Sequence, residues 1–475
     1  MGLKPWLMSI CVLLAAAGVA GGQTQITTTV LEGVVIDSSD AVLPGVDVEV
    51  RNADTNLTRT LVTDREGRFS VLQLPPGRYV LTFQLSGFAT LILENVEATV
   101  GQSVQLKPVM RVSGVAETVT VTTEAATVET RRTAVASTLD EDTIGNTPIL
   151  GRKFEDLLTL TPGVSVVQGP DGDEITFVGQ RGVFNNISLD GGDYNNGFFG
   201  EQMGGQRAAV DITLEAVKEF QVVATGANAE FGRTAGGVVN VITKSGTNQV
   251  RGSLFHFQRL EGLTSNTSDG KPLQDFHREQ FGGTAGGPIV KNKAFFFGAL
   301  EGIREHLLRA NLSEAIGTPC SVSSPTLAAN EALINSSPDC QRLALLTFFR
   351  SRGQDEGQPV AHDVNNNAFL AKADWSLSAA HNLSVSYNFD YSKNVNQTFD
   401  VPTYGNSANG IEGPSKINIV NVNLFSTVTA NELNEFHITY SRENRPRSAT
   451  PSSIPADTGM GFGPSFRFGN PFFLA

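Results

Sequence analysis

The residue types with the greatest capacity for chemistry in this chain are six histidines, three cysteines and 48 aspartates and glutamates. Their spacing excludes most of what they could do. No histidine opens a His-x-x-Glu or His-Glu-x-x-His run, so the ligands of a zinc peptidase never fall on one helical face. A G-x-S-x-G elbow, a Walker loop and a C-x-x-C pair are likewise missing from the sequence. Asp171-Gly172-Asp173-Glu174 and Asp190-Gly191-Gly192-Asp193 cluster carboxylates as a calcium site would. Neither continues with oxygen ligands at calcium-loop positions, and both read as solvated turns. No catalytic, metal-binding or cofactor-binding residue is expected, nor is an enzyme. Cys320 and Cys340 read as a disulfide closing one loop of an exported chain, with two buried free thiols as the alternative.

The elements that carry these residues are bounded by composition. The chain has 475 residues and a formal charge of −13, which argues against nucleic acid as a partner because phosphate binding needs a basic face. Residues 1–22 read as a secretory signal: Lys4 gives the positive start, Leu7–Ala17 the short apolar core, and Gly18-Val19-Ala20 the small residues before cleavage. Cys11 lies in that core and leaves with it. After this segment no apolar run reaches the roughly 20 residues that a spanning helix needs, so a membrane role would fall to strands.

Residues 29–112 read as a small β-sandwich, with strands at Leu31–Ile36, Val46–Arg51, Arg59–Thr63, Arg68–Leu72, Gly77–Leu85 and Val104–Met110. In Thr63-Asp64-Arg65-Glu66-Gly67-Arg68-Phe69 the aspartate can bond its own backbone and the glycine can take a positive φ. With Leu43-Pro44-Gly45-Val46, Leu74-Pro75-Pro76-Gly77-Arg78-Tyr79 and Ser86-Gly87-Phe88, this pattern resembles the carboxypeptidase regulatory-like domain. The resemblance implies a transthyretin-like or carbohydrate-binding-like sandwich without catalytic residues.

Residues 114–124 come next, centred on Glu117-Thr118-Val119-Thr120-Val121-Thr122. A strictly alternating segment between two domains can add itself to the sheet of another protein. It resembles the TonB box gripped by the inner-membrane protein TonB; the alternative is a last strand of the sandwich.

Residues 126–245 read as mixed α/β. Phe154, Leu157 and Leu158 share one helical face, and Thr161-Pro162-Gly163 stops that helix. Strands are expected at Ile175–Val178, Phe220–Ala224 and Val238–Thr243. The blocks GRKFEDLLTLTPGV, GQRGVFNNISLDG, EAVKEFQV and AEFGRTAGGVVNVITKSG resemble, in this order, the plug of Oar-like TonB-dependent transporters. Gly236 and Gly237 lack side chains and would let a wall approach closely where plug hands over to barrel. Arg181, Glu230 and Arg233 are candidates for ion pairs holding the plug to that wall, with surface charges as the alternative.

Residues 246–475 read as antiparallel transmembrane barrel. Phe369, Ala371, Ala373, Trp375 and Leu377 alternate with Leu370, Lys372, Asp374 and Ser376; Leu383, Val385, Tyr387, Phe389 and Tyr391 alternate with Ser384, Ser386, Asn388, Asp390 and Ser392. Strands are expected at Val250–Arg259, Arg278–Ile289, Ala294–Arg304, Phe369–Leu377, Leu383–Ser392, Ile417–Thr427 and Glu432–Glu443. Short turns (Val290–Lys293, Ser378–Asn382, Val428–Asn431) alternate with long excursions (Leu260–His277, Glu305–Asn366, Lys393–Lys416), as in outer-membrane barrels. A plugged barrel of about 22 strands does not fit in the stretch of chain after Lys244, so this part is expected to be the beginning of a truncated barrel.

The fold expected is mainly β: sandwich, mixed plug, incomplete barrel. The resemblance implies an outer-membrane receptor whose plug is displaced when TonB pulls on Glu117–Thr122, with the sandwich in the periplasm. Outer-membrane lipid, TonB and an unidentified extracellular ligand are the partners implied. A non-transporting adhesin or envelope scaffold, a secreted carbohydrate binder, and a glycan importer with a lipoprotein lid are the alternatives.

Overall fold

The computed structural model describes residues 27–112, 118–122, 134–149, 151–169, 172–197, 202–203, 212–227, 231–232, 234–266, 270, 272–309, 320–322, 324–351, 359–398, 409–429 and 432–449. The signal segment and the proline-rich tail from Pro451 fall outside them.

The first unit is a sandwich of strands β1 (Thr29–Val34), β2 (Ile36–Asp37), β3 (Asp47–Asn52), β4 (Thr58–Val62), β5 (Arg68–Leu74), β6 (Gly77–Gln84), β7 (Thr90–Ala98), β8 (Ser103–Leu106) and β9 (Val109–Met110). Alternating apolar residues turn inward from both layers: Val48, Val50, Phe69, Leu81 and Phe83 form its core with Leu31 and Val104. The turn before β5 uses the expected chemistry. Asp64 Oδ1 accepts from the amides of Glu66 (2.9 Å) and Arg68 (2.8 Å), and Gly67 sits at φ +69° with Val35 O 2.8 Å from where a Cβ would lie. Strand β7 goes beyond the sequence reading. It lies between β6 and a tenth strand, with Leu91, Leu93, Val96 and Ala98 turned inward and an irregularity at Glu94-Asn95, where Asn95 takes φ +57°, that shifts the phase of the alternation.

That tenth strand, β10 (Thr118–Thr122), is the edge of the five-stranded layer β10-β7-β6-β3-β4 and pairs in parallel with β7, Thr118 opposite Thr90 and Thr122 opposite Glu94. Val119 packs against the sandwich core.

The second unit is the mixed plug. Its sheet runs β11-β16-β17-β14-β15, from β11 (Val135–Leu139), β14 (Asn186–Leu189), β15 (Gly192–Asp193), β16 (Val217–Thr225) and β17 (Val238–Thr243). A hairpin of β12 (Val164–Gly169) and β13 (Gly172–Phe177) lies beside it. Helix α1 (Glu141–Asn146) starts at Asp140, whose carboxylate accepts from the Thr143 amide at 2.8 Å. The short α2 (Phe154–Leu158) buries Phe154, Leu157 and Leu158, and Phe154 stacks on Phe220 of β16 with ring centroids 5.7 Å apart.

The third unit is one antiparallel sheet in strict sequence order: β18 (Arg251–Leu260), β19 (Gln274–Val290), β20 (Ala294–Arg309), β21 (Val360–Ser376), β22 (His381–Thr398), β23 (Asn409–Thr429) and β24 (Glu432–Asn444), with β25 (Arg447–Ala449) beside β23. Each expected strand is present, and most are longer than expected. A crossing needs about 9–11 residues, so strands such as β23, at 21 residues, run on past a bilayer at the long-loop end. Phe369, Trp375, Phe436, Ile438 and Tyr440 are exposed on one face, while Lys372, Ser386, Asn388, Asp390 and Ser392 are buried on the other. Phe389 opposes Phe369 and shares that outward face.

The connection from β20 to β21 carries helices that the sequence reading did not anticipate, α3 (Glu331–Ile334) and α4 (Pro338–Ser351). Cys320 and Cys340 form a disulfide there, and Leu345, Leu346 and Phe349 make a small apolar core. Among the described residues no helix is long and apolar enough to cross a membrane.

Candidate functional site at the seam between plug and wall

The plug rests on the polar face of the barrel sheet. Ile417 and Ile419 of β23 join the plug core, Ala216 of the plug packs with Phe297, Ala299 and Leu370 of the wall, and hydrogen bonds make much of the remaining contact. At its centre Lys372 reaches from β21 into the plug. Its ammonium donates to Asp190 Oδ1 (3.2 Å), Thr243 Oγ1 (3.1 Å) and the Thr243 carbonyl (3.3 Å). Asp190 is in turn held by the Thr243 amide (3.0 Å) and hydroxyl (2.6 Å). Both charged side chains are almost fully removed from solvent, at 8% and 4% exposure. A desolvated pair of this kind is costly to split, because the partner left behind has lost its water as well.

Further contacts spread along the wall. Asn421 and Asn423 of β23 donate to the carbonyls of Leu189 and Asp190, each at 2.9 Å. Buried Glu301 of β20 accepts from Thr213 of the plug (2.6 Å) and from its neighbour Gln280 (2.5 Å). The Arg152 guanidinium lies over the rings of Phe255 and Phe257 of β18, at 4.7 and 4.9 Å, and pairs with Glu215 at 2.8 Å. Arg278 of β19 donates to the Gly151 carbonyl (3.4 Å) and pairs with Glu305 (2.9 Å). The Asn196 amide donates to Glu443 of β24 at 2.5 Å.

Several expectations are corrected here. Asp190 is not a solvated turn residue; the sharp Asp-Gly-Gly turn aims its carboxylate at a lysine 182 positions downstream. Gly236 and Gly237 do not admit the wall. A Cβ on Gly237 would lie 2.2 Å from the Phe177 ring and one on Gly236 2.4 Å from Asn185 Oδ1, so the close approach is internal to the plug. Arg181 is exposed, and no ion pair forms on it among the described residues. Glu230, Arg233 and Glu117 lie outside the described residues. The contacts that hold plug to wall were missed because their partners are far apart in sequence; a lone lysine on the apolar-alternating strand Phe369–Leu377 was the one local signal.

The sandwich sits at the short-turn end and touches both other units. Lys218 of β16 donates to the Pro76 carbonyl, and Glu219 Oε1 accepts from the Val100 amide at 3.0 Å. The Asn248 amide donates to the Asp54 carbonyl (3.0 Å), Asn56 to Asn292 Oδ1 (2.9 Å), and Gln73 to the Asn434 carbonyl (3.4 Å). A cavity of about 1640 Å³ opens between sandwich, plug and wall, lined among others by Glu97, Glu141, Lys218, Arg251 and Asp374.

Burial raises the Glu219 carboxyl to about 7, with Lys218 and the Val100 amide opposing the rise. Free in solution it would titrate at about 4.3. The seated form thus binds more protons between those values, and stability falls as pH rises across that window, by on the order of 1–3 kcal/mol. Hydrogen exchange at Val100 should be slower at pH 5 than at pH 8 after correction for intrinsic rates. Glu219→Gln should flatten that difference.

Comparison with known proteins agrees with this geometry. Residues 30–111 match the carboxypeptidase regulatory-like domain, 129–239 the TonB-dependent receptor plug domain and 242–473 an outer membrane beta barrel domain. The TonB-dependent transporter Oar of Myxococcus xanthus is 28% identical over 315 residues, which cover 62% of this chain and 29% of that protein. Among solved structures, a mutant ferric enterobactin receptor of Pseudomonas aeruginosa is similar at 15% identity and a TM-score of 0.43, over 66% of this chain and 41% of that one. The outer membrane transporter YddB of Escherichia coli is similar at 11% identity and a TM-score of 0.44, over 65% and 38%. The chain therefore spans less than half the length of each of these three relatives.

Proposed function

We propose that this chain, an outer-membrane protein carrying in order a carboxypeptidase regulatory-like domain, a TonB-dependent receptor plug and a β-barrel domain, takes part in TonB-driven passage of an unidentified extracellular ligand. One observation carries the reading: a folded α/β body is seated, through the Lys372–Asp190 pair, on the polar face of a sheet whose other face is apolar and exposed. A body held by desolvated bonds blocks passage, and a ligand shifts it only by as much as it binds the displaced form more tightly than the seated one. An external pull supplies that work.

TonB would deliver the pull by pairing with Glu117–Thr122, and ligand would bind the long connections and the upper plug. Within the described part of this segment β10 is a sheet edge, with main-chain groups on its outer side available for strand addition. The Cys320–Cys340 disulfide, in one of those long connections, suits an oxidising exterior.

Thr120→Pro tests the proposal. Proline removes an amide donor and its ring obstructs an added strand. Capture of the full chain by the purified periplasmic domain of TonB should weaken at least tenfold, about 1.4 kcal/mol, while fractionation with the outer membrane is unchanged. Undiminished capture would move the TonB contact away from this segment, and no capture of the wild type would favour a non-transporting envelope protein.

A further inference from the structure

The register of the barrel strands sorts their outward side chains into rows. Nearest the short turns, Trp375 opposes Leu383, Leu383 opposes Leu424 and Leu424 opposes Phe436. The rows stay apolar or aromatic up to Phe369 opposite Phe389. The character changes there. Phe389 opposes Asn418, which opposes Arg442; one row higher Tyr391 opposes Lys416; one row higher again on β22 stands Lys393. Arg442, Lys416 and Lys393 thus climb diagonally across β24, β23 and β22, on the outward face, in three successive rows at the upper limit of the apolar band.

None of the three is held in an ion pair among the described residues, and Lys416 and Arg442 are exposed. Of the acidic side chains near them, Glu412 and Glu443 occupy the opposite face, where Arg445 lies 3.9 and 4.0 Å from them, and Asp363 of β21, which shares the outward face one row from Lys393, is taken up by His306 at 2.5 Å. The diagonal therefore sets three cations together on the outward face, none of them joined to a carboxylate among the described residues, in a chain whose formal net charge is −13. Neighbouring strands are about 4.8 Å apart and diagonal neighbours about 7–8 Å, so the three cations can meet one multiply charged group together.

We propose that this diagonal binds the phosphate-bearing headgroup of an outer-leaflet glycolipid. Its depth selects the partner. At the border of the apolar band, on the membrane-facing side, the charged groups of lipid are what the ammonium and guanidinium groups meet. The apolar rows beneath would lie against the same molecule's acyl chains. The inference rests on the outer-membrane barrel reading.

The full chain, reconstituted in phosphatidylcholine vesicles with and without lipid A, would be re-extracted and its retained lipid measured by mass spectrometry. Wild type is expected to enrich lipid A over phosphatidylcholine, and the K393Q/K416Q/R442Q variant to retain at least tenfold less. A K291Q/K293Q control, which removes exposed charges at the short-turn end, should behave as wild type. Inorganic phosphate should not displace the lipid. Equal retention by the triple variant, loss in the control, or displacement by phosphate alone would each overturn the assignment. Wild type floating with both vesicles without enrichment overturns the headgroup site alone, whereas failure to float with either removes the barrel reading as well.

Discussion

Lys372→Met is expected to loosen the plug in its seat by about 3–5 kcal/mol. Methionine keeps most of the stem's volume and removes the ammonium, so Asp190 remains buried with its charge facing only the amide and hydroxyl of Thr243. The strain falls on β17, whose last residue is Thr243, and on the β14–β15 turn that carries Asp190. Hydrogen exchange in Val238–Thr243 should quicken by two orders of magnitude or more, with the paired amides of β21 and β22 little changed. Adding Asp190→Asn should recover much of the loss, since a neutral amide can still face Thr243 without an uncompensated charge. Wild-type exchange in the single variant would mean that the pair is incidental to plug seating.

Gly237→Val should cost about 3 kcal/mol, the upper end for overpacking a well-filled interior. The first added carbon would lie 2.2 Å from the Phe177 ring, and Phe177 is 1% exposed, with no open side toward which to turn. Relief would have to come from the β12–β13 hairpin shifting away from the plug sheet. Limited proteolysis should then cut that hairpin at protease levels that leave wild type intact. Phe177→Leu in the same chain should restore part of the protection, a coupling readable in a double-mutant cycle. If the paired change brings no recovery, the glycine is required for some reason other than this ring.

Local pattern carried much of this architecture. Strand β22 could be read residue by residue, since Leu383 to Tyr391 alternate with small polar residues and only a sheet with one wet and one apolar face demands that. The Asp64 turn was equally plain, because an Asx bond and a positive φ are fixed within five residues. Strand β7 escaped notice because the apolar Ile92 fills the outward position between Leu91 and Leu93 and the irregularity at Glu94-Asn95 shifts the period, and α3 and α4 because they lie within a long connection read as loop. The seam is another case. Lys372 and Asp190, or Glu301 and Thr213, carry no mark in their own neighbourhoods that assigns one to the other; the pairing exists only once two separately folded units meet. For Gly236 and Gly237 the need for close approach was legible but its object was not. In Thr118–Thr122 the alternation was legible and the parallel pairing with β7 was not.

The two asparagines of β23 have one more consequence. Asn421 and Asn423 donate to carbonyl oxygens that every amino acid possesses. At these two bonds the inner wall is keyed to the path of its stopper and not to its composition, so in this turn only Asp190, which meets Lys372, and Gly192, where a Cβ would lie 2.1 Å from Asn421 Oδ1, are tied to their residue types. Chimeras that exchange the rest of this turn for one of the same length and curvature, keeping Asp190 and Gly192, should still lodge, whereas a single inserted residue, moving both acceptors out of step, should not.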